Sequence, residues 1–155
     1  MDGTHTIQCH CQLLSVNRCT YVNQFVSETV TMPPPGIAPA GPSYSRGVRS
    51  GNLLFISGST ARGTDAQGKS MIDQLRVTLD RISQIAQVEG GASADIVKIT
   101  TFVTSIADWR EMGEEQHVVF QEYFKGIYPA NTLVEIGALA EPGLDVEIEA
   151  IVVLE

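Results

Sequence analysis

Basic residues are scarce in this sequence. Ten lysines and arginines stand against eighteen aspartates and glutamates, which gives a formal net charge of −8 at pH 7. Proteins that bind a nucleic-acid backbone cluster Lys and Arg so that phosphates are neutralised, whereas the basic residues here are scattered along the chain. The charge balance therefore argues against nucleic acid as a partner.

Long apolar runs and the common cofactor motifs are also missing. No stretch approaches the roughly 18 consecutive apolar residues that a membrane span requires, so we expect no membrane partner. The sequence contains no P-loop, no Gly-x-Gly-x-x-Gly after a predicted strand, no His-Glu-x-x-His and no nucleophile elbow around a serine. We therefore expect no metal and no organic cofactor.

Cysteine is rare and confined to the first 19 residues. With two nearby histidines it gives one set of candidate metal ligands, which are His5, Cys9, His10, Cys11 and Cys19. Their spacing does not match the paired Cys-x2-Cys or His-x3-His patterns that present ligands tetrahedrally, which argues against a metal site. An odd number of cysteines without a recognisable framework also fits reduced thiols in the cytosol, and we expect a cytoplasmic location.

The run Pro33-Pro34-Pro35-Gly36 divides the chain. Because proline and glycine interrupt regular structure, we interpret residues 1–36 as an N-terminal extension that we expect to be poorly ordered. Residues 37–155 are interpreted as one domain with its own hydrophobic core.

Apolar periodicity predicts the secondary structure of this domain. Strands are predicted at residues 44–49, 53–57, 96–103, 132–136 and 146–154. Helices are predicted from the N-cap Ser70 to residue 89 and, capped by Asp108, over residues 109–124. This order predicts an α+β domain in which two helices cover one face of a mixed sheet.

The other face of the predicted sheet would be bare. It would carry the apolar residues Leu133, Ile151 and Val153. A face of this kind is usually covered, so we expect that another subunit packs against it.

The last predicted strand carries two carboxylates on one face. Glu147 and Glu149 alternate with the apolar residues Val146, Ile148 and Ala150. Glutamates on a solvated strand face need no further explanation. If this face instead lines a cleft, a carboxylate held near polar partners can transfer protons.

Two other positions also have two interpretations. Ser57 and Gly58 offer a ligand a hydroxyl and an unhindered backbone, or they are an ordinary polar strand end. His117 lies at the edge of the apolar stripe of the second helix, where a surface or packing role is usual for a lone histidine. The residues alone leave both alternatives open.

Three segments of the domain together resemble one known family. The first is Pro129-Ala130-x-Thr132-x-Val134-Glu135 with the later Val146-Glu147-Ile148-Glu149-Ala150. The second joins residues 38–48 to Gly51-Asn52-Leu53-Leu54-Phe55-Ile56-Ser57-Gly58, and the third runs from Gly90-Gly91 to Lys98 and Phe102-Val103. Over residues 37–155, and in the order in which the family has them along the chain, they resemble the RidA/YjgF proteins, the reactive-intermediate deaminases that hydrolyse enamines and imines.

The resemblance implies an architecture and an assembly. The fold would be chorismate-mutase-like, and the protein would be a homotrimer whose sheets form a central barrel, with three clefts between neighbouring subunits. Some members have been described as ribonucleases, but the charge balance of this chain argues against that activity.

The resemblance also implies site residues. Glu147 matches the glutamate that orients or activates the attacking water. Tyr44 matches a tyrosine near the mouth of the cleft, and Ser57 with Gly58 matches the strand end that contacts the ligand.

Three positions depart from the deaminase pattern. Asn131 stands where those proteins have an arginine for the substrate carboxylate, so binding of imino acids such as 2-aminoacrylate should be much reduced. Leu133 stands where they often have cysteine. His117 stands where they commonly have asparagine, and an imidazole near Glu147 would give an acid/base pair.

Three functions therefore stay open. The first is a deaminase-type hydrolase of imines or enamines that lack the usual carboxylate or offer it elsewhere. The second is an isomerase or cyclase that uses Glu147 and His117. The third is a non-catalytic trimer that binds a metabolite or a partner.

Overall fold

The computed structural model describes residues 27–29, 37 and 40–155. The candidate cysteine and histidine ligands of the N-terminal extension lie outside these residues. The strands and helices of the described part are β1 Ser27–Thr29, β2 Gly47–Ser50, β3 Leu53–Thr60, α1 Met71–Val88, β4 Ile96–Val103, α2 Ile106–Glu111, α3 Gly113–Phe124, β5 Ala130–Glu135 and β6 Val146–Val153. In that part of the chain, no helix is long and apolar enough to cross a membrane.

The strands form one mixed sheet in the order β1-β2-β3-β6-β4-β5. Neighbouring strands are antiparallel except β4 and β5, which run parallel. The predicted α+β class is confirmed. β6 lies between β3 and β4, so the strand that bears both candidate carboxylates is in the middle of the sheet. β1 comes from the predicted extension and pairs with β2, and the domain boundary at residue 36 stays a prediction.

The hydrophobic core lies between the sheet and the helices. Alternate residues of β6 are at most 3% exposed, and they belong to one cluster with the buried residues Leu75, Leu79 and Ile82 of α1. Helix α1 begins as predicted, because the Oγ of Ser70 accepts the N–H of Asp73 at 3.3 Å. Truncating a fully buried Leu or Ile typically costs about 2–5 kcal/mol, so this packing holds α1 against the sheet.

The single helix predicted over residues 109–124 is two helices. The N-cap of α2 is Ser105 and not Asp108, since the Ser105 Oγ accepts the Asp108 N–H at 3.1 Å. Gly113, at φ 50°, then separates α2 from α3. Across this break Trp109 and Phe120 meet edge to face with ring centroids 6.5 Å apart, which packs the two helices together.

The sheet face away from the helices is apolar near its centre. Phe55 pairs with Ile151 and Leu53 pairs with Val153 across β3 and β6. Phe55 is 44% exposed in the single chain. This surface is the one that the sequence predicted to be covered by another subunit.

Leu133 does not lie on that bare face, so its predicted placement is wrong. It pairs with Thr101 of the parallel strand β4, and paired residues in a sheet point to the same side. Thr101 is fully buried on the helix side. The prediction failed because the face on which each residue of β5 lies depends on the pairing with β4, which the sequence alone does not give.

Candidate active site

A β-bulge in β3 interrupts its pairing with the neighbouring strand β6. The register with β6 shifts between Ile56 and Ser59, where Ser57 and Gly58 oppose a single residue. Ile56 and Ser59 are consequently both buried, at 3% exposure, although a regular strand would place residues three apart on opposite faces. After the bulge β3 continues to Thr60, beyond its predicted end at residue 57.

Glu147 lies against this bulge. A Cβ atom at residue 58 would be 1.8 Å from the Glu147 Oε1 and 2.7 Å from its Cδ. The carboxylate therefore occupies space that exists only because residue 58 has no side chain. Gly58 was predicted to offer unhindered backbone to a ligand, and in the structure it also accommodates Glu147.

The Glu147 carboxylate lines a cleft of about 390 Å³. Tyr44, Ser57 and Gly58 line the same cleft, so four of the predicted site residues come together. Tyr44 precedes β2, whereas it was predicted to be inside a strand, and its side chain is exposed. This cleft is called the Glu147 cleft below.

The Ser57 hydroxyl is fixed by a hydrogen bond. Its Oγ donates to the Ser45 carbonyl at 2.7 Å, and the Ser57 N–H donates to the Arg46 carbonyl at 3.0 Å. Because the hydroxyl proton is engaged, Ser57 offers the cleft an acceptor and not a donor.

The environment of Glu147 differs from that of a solvated strand carboxylate. The pKa of Glu147 is raised above its ordinary value of 4.5, first by burial and then by the nearby charge of Glu149. A carboxyl that holds its proton closer to neutral pH can both accept and return a proton. Glu149 is exposed, so the ordinary solvated interpretation suits Glu149 better than Glu147.

Three arginines of the Glu147 cleft were not predicted as site residues. Arg46, Arg62 and Arg81 all line it, although they are far apart in the chain. Arg81 belongs to α1 and donates a hydrogen bond to the carbonyl of Thr60 at the end of β3. No local motif marks these arginines, because only the packing of α1 beside the bulge brings them together.

His117 and Asn131 line a second groove, also of about 390 Å³, between α3 and β5. Asn131 accepts a hydrogen bond from the Thr101 hydroxyl at 3.0 Å. The His117 side chain is 73% exposed, with its Nδ1 3.7 Å from a carboxylate oxygen of Glu114. This surface is called the His117 groove below. Leu133 follows on the same face of β5.

The Glu147 side chain and the His117 groove lie on opposite faces of the sheet. Glu147 alternates along β6 with residues buried under the helices, whereas Asn131 contacts Thr101 on the helix side. A single chain therefore does not pair His117 with Glu147. Among the described residues, no group of three or more His, Cys, Asp or Glu side chains could hold a metal ion.

Comparison with known proteins places the chain in a family. Residues 36–154 match the family described as Endoribonuclease L-PSP. A RutC family protein of Pyrococcus horikoshii is 35% identical over 117 residues, which cover 73% of this chain and 87% of that protein. TdcF of Escherichia coli, provisionally named a reactive intermediate deaminase, is 31% identical over 112 residues, which cover 71% of this chain and 85% of TdcF.

Solved structures share the fold. A member of the YjgF/YER057c/UK114 family from Mycobacterium tuberculosis has a TM-score of 0.61 and 39% identity, covering 72% of this chain and 86% of that chain. Escherichia coli TdcF with bound serine has a TM-score of 0.64 and 30% identity, covering 76% of this chain and 92% of that chain. The fold is thus that of the small α+β proteins of the YjgF/UK114 class. Since the sequence match spans nearly the whole domain, the chain belongs to the RidA/YjgF family.

Gly58→Ala tests the contact between residue 58 and Glu147. The added methyl group would collide with the carboxylate and move it toward water, so the pKa of Glu147 should fall toward 4.5. An NMR titration of the Glu147 side-chain carboxyl measures this change. Gly137→Ala is the matched control, because a Cβ at residue 137 meets nothing within 4 Å. An unchanged Glu147 pKa in Gly58→Ala would contradict the contact.

Proposed function

We propose that this protein hydrolyses reactive imines or enamines to a carbonyl compound and ammonia, with Glu147 activating the water. The observation that carries the proposal is the half-buried Glu147 carboxylate, which lies over Gly58 in a cleft and has a raised pKa. The likeness to TdcF, with its name as a reactive intermediate deaminase, supports the reaction class.

The chemistry needs one group that can move a proton in both directions. Glu147 takes a proton from water while the water oxygen bonds to the imine carbon, and the proton passes to the nitrogen to give a carbinolamine. A second transfer protonates the amine nitrogen as the hydroxyl loses its proton and the C–N bond breaks. One imine and one water thus give one carbonyl compound and one ammonia, and Glu147 returns to its starting state.

We infer that the complete site lies between copies of this chain. Glu147 and the His117 groove are on opposite sheet faces, so a neighbouring chain has to supply His117 and Asn131 if they are to act with Glu147. The apolar face with Phe55 and Ile151 is suited to burial in such an assembly. The homotrimer that the family resemblance implies meets both requirements.

Asn131 favours a substrate range that differs from that of the arginine-containing deaminases. An amide cannot neutralise a carboxylate, and the oxygen of Asn131 already accepts the Thr101 hydroxyl. Its NH₂ group remains as a donor to the substrate. With His117 beside it in the same groove, this strand end offers an imidazole and an amide in place of a guanidinium.

A non-catalytic protein that binds a metabolite is the second candidate. The absence of the arginine at residue 131 favours it, because a binding protein could keep the cleft after losing the turnover of imino acids. The family description as an endoribonuclease suggests another activity, but a net charge of −8 argues against binding of an RNA backbone.

Glu147→Gln should lower ammonia release by roughly a hundredfold to ten-thousandfold, the usual contribution of general acid–base catalysis. The measurement is ammonia production from imines formed in situ by an amine oxidase or an amino-acid oxidase. A raised folded-state pKa gives stability that is present at low pH and lost as pH rises through that pKa. Removing the Glu147 charge is therefore not expected to lower the free energy of unfolding at pH 7, and a thermal melt checks this.

The matched control is Glu149→Gln, on the same strand and the same face but exposed. It should retain turnover. Because the charge of Glu149 raises the pKa of Glu147, the acidic limb of the pH–rate profile should move to lower pH in this variant. Equal turnover by wild type and Glu147→Gln would contradict the proposal and favour the binding function.

Phe55→Glu should disrupt the assembly. It puts a charge on the apolar sheet face, and burying an unpaired carboxylate between subunits is strongly unfavourable. Light scattering coupled to size-exclusion chromatography should show a trimer for the wild type and smaller species for the variant, with loss of ammonia release. Val118→Glu is the control, because Val118 is 51% exposed on α3, away from that face. A trimeric Phe55→Glu would argue against this interface.

Asn131→Arg should increase turnover of imines that carry a carboxylate beside the imine carbon, by about tenfold or more, because a guanidinium can bind the carboxylate bidentately. Asn131→Gln lengthens the side chain without adding charge and should not produce the gain. The assay compares 2-imino acids made by an amino-acid oxidase. If wild type already processes them as fast as Asn131→Arg, residue 131 does not set the substrate range.

A further inference from the structure

Gln74 is a polar residue on the buried face of α1. It lies with Leu75 and Leu79 on the face that packs against the sheet, and its side chain is fully buried. Burying an amide costs free energy unless its donors and its acceptor are hydrogen-bonded. A leucine of similar size would pack at this position without that requirement, so the contacts of Gln74 call for an explanation.

The Gln74 amide joins α1 to the residue that precedes β6. Its Nε2 donates to the Lys69 carbonyl at 3.1 Å and to the Asp145 Oδ2 at 2.9 Å. Its Oε1 accepts the N–H of Asp145 at 2.8 Å. Gln74 and Asp145 thus exchange two hydrogen bonds, one with the side chain and one with the backbone of Asp145, although they are 71 residues apart.

Thr104, which follows β4, completes the hydrogen bonding of Asp145. The Thr104 hydroxyl donates to the Asp145 Oδ1 at 2.7 Å, and the Thr104 N–H donates to the Asp145 carbonyl at 3.1 Å. The N–H, the carbonyl and both carboxylate oxygens of Asp145 therefore each have a partner. A polar network in which every group is satisfied is rigid, so this one fixes the point at which β6 begins.

The position of Asp145 is transmitted to Glu147 along the strand. Two residues of a strand span about 7 Å, and the one between them, Val146, is fully buried. The Glu147 carboxylate lies so close to residue 58 that a Cβ there would be 1.8 Å from its Oε1, which leaves little room for a shift of the strand. Leu144, on the other side of Asp145, lines the Glu147 cleft. The network therefore supports both the carboxylate and a wall of its cleft.

Helix α1 also reaches the strand opposite Glu147. Arg81 follows Gln74 by about two helical turns, so both residues are on the same side of α1. Arg81 donates to the carbonyl of Thr60, and Thr60 pairs with Glu147 across β3 and β6. Arg81 lines the cleft and can contact a ligand there, whereas Gln74 does not line it. Gln74 is therefore the residue whose effect on Glu147 can be tested without changing the cleft surface.

We propose that Gln74 and Asp145 are positioning residues that hold the Glu147 carboxylate over Gly58 without contacting the substrate. This inference rests on the proposed function, because the position of Glu147 affects turnover only if Glu147 activates the water. When the bonds between Gln74 and Asp145 are broken, the start of β6 shifts and the carboxylate moves toward water. Turnover then slows, while substrate affinity changes little.

Two single substitutions break the pairing. Gln74→Leu removes the amide, and Asp145→Asn sets an NH₂ group against the NH₂ group of Gln74. Each should lower kcat for ammonia release by about tenfold to a hundredfold, the size of effect expected when a catalytic group is misplaced by about 1 Å. KM should stay within about twofold of wild type, because the lost interaction acts on the chemical step.

A second substitution should rescue Asp145→Asn. Adding Gln74→Glu lets the new amide at residue 145 donate to the new carboxylate at residue 74, which also accepts the N–H of residue 145. The amide oxygen still accepts the Thr104 hydroxyl, the net charge is unchanged, and only the bond to the Lys69 carbonyl is lost. The double variant should return to within about threefold of the wild-type kcat, as expected for two coupled residues. A double variant as slow as Asp145→Asn would overturn the proposal.

Ser83→Ala is the control for a general loss of stability. Ser83 is also a buried polar residue of α1, and it shares a hydrogen bond of 3.1 Å with Ser93, but it does not line the Glu147 cleft. This variant should melt at a lower temperature than wild type and keep the wild-type kcat below its melting temperature. A fall in kcat as large as that of Gln74→Leu would show that loss of stability alone explains the effect, and would refute a positioning role.

An NMR titration of the Glu147 carboxyl separates this inference from the proposed function, because it needs no turnover. Burial raises the pKa of Glu147, so Gln74→Leu and Asp145→Asn should lower that pKa toward 4.5, and the double variant should restore it. This pattern in a protein that releases no ammonia would support the positioning role and refute the hydrolase. Turnover that requires Glu147, with kcat and the Glu147 pKa unchanged in both single variants, would do the reverse.

Discussion

The candidate site depends on the contact in which the Glu147 carboxylate fills the space above Gly58. The bulge of β3 and the central position of β6 bring these two residues together. The same contact withdraws the carboxylate from water, so burial is the leading cause of its raised pKa. The contact with Gly58 therefore sets both the position and the pKa of the Glu147 carboxylate. A side chain at residue 58 would change both together.

The division of functional residues between two sheet faces links chemistry to assembly. Helices cover the face on which Asn131 lies, and the opposite face, with Phe55 and Ile151, keeps apolar side chains in contact with solvent in the single chain. Burying that apolar face is favourable by itself, and it is also the way in which a second chain could approach the Glu147 side. The same apolar contacts would then stabilise the protein and complete its site.

The sequence predicted the secondary-structure elements better than it predicted which distant residues meet in the folded chain. Apolar periodicity and the Ser70 cap predicted α1 and the α+β class, because these depend on residues near one another in the chain. The break at Gly113 was missed because the apolar stripe of the predicted helix continues across that residue. Leu133 was placed on the wrong face because the face on which it lies depends on the pairing of β5 with β4. Arg81 was not predicted to line the Glu147 cleft for the same reason, because only packing between distant segments brings it there.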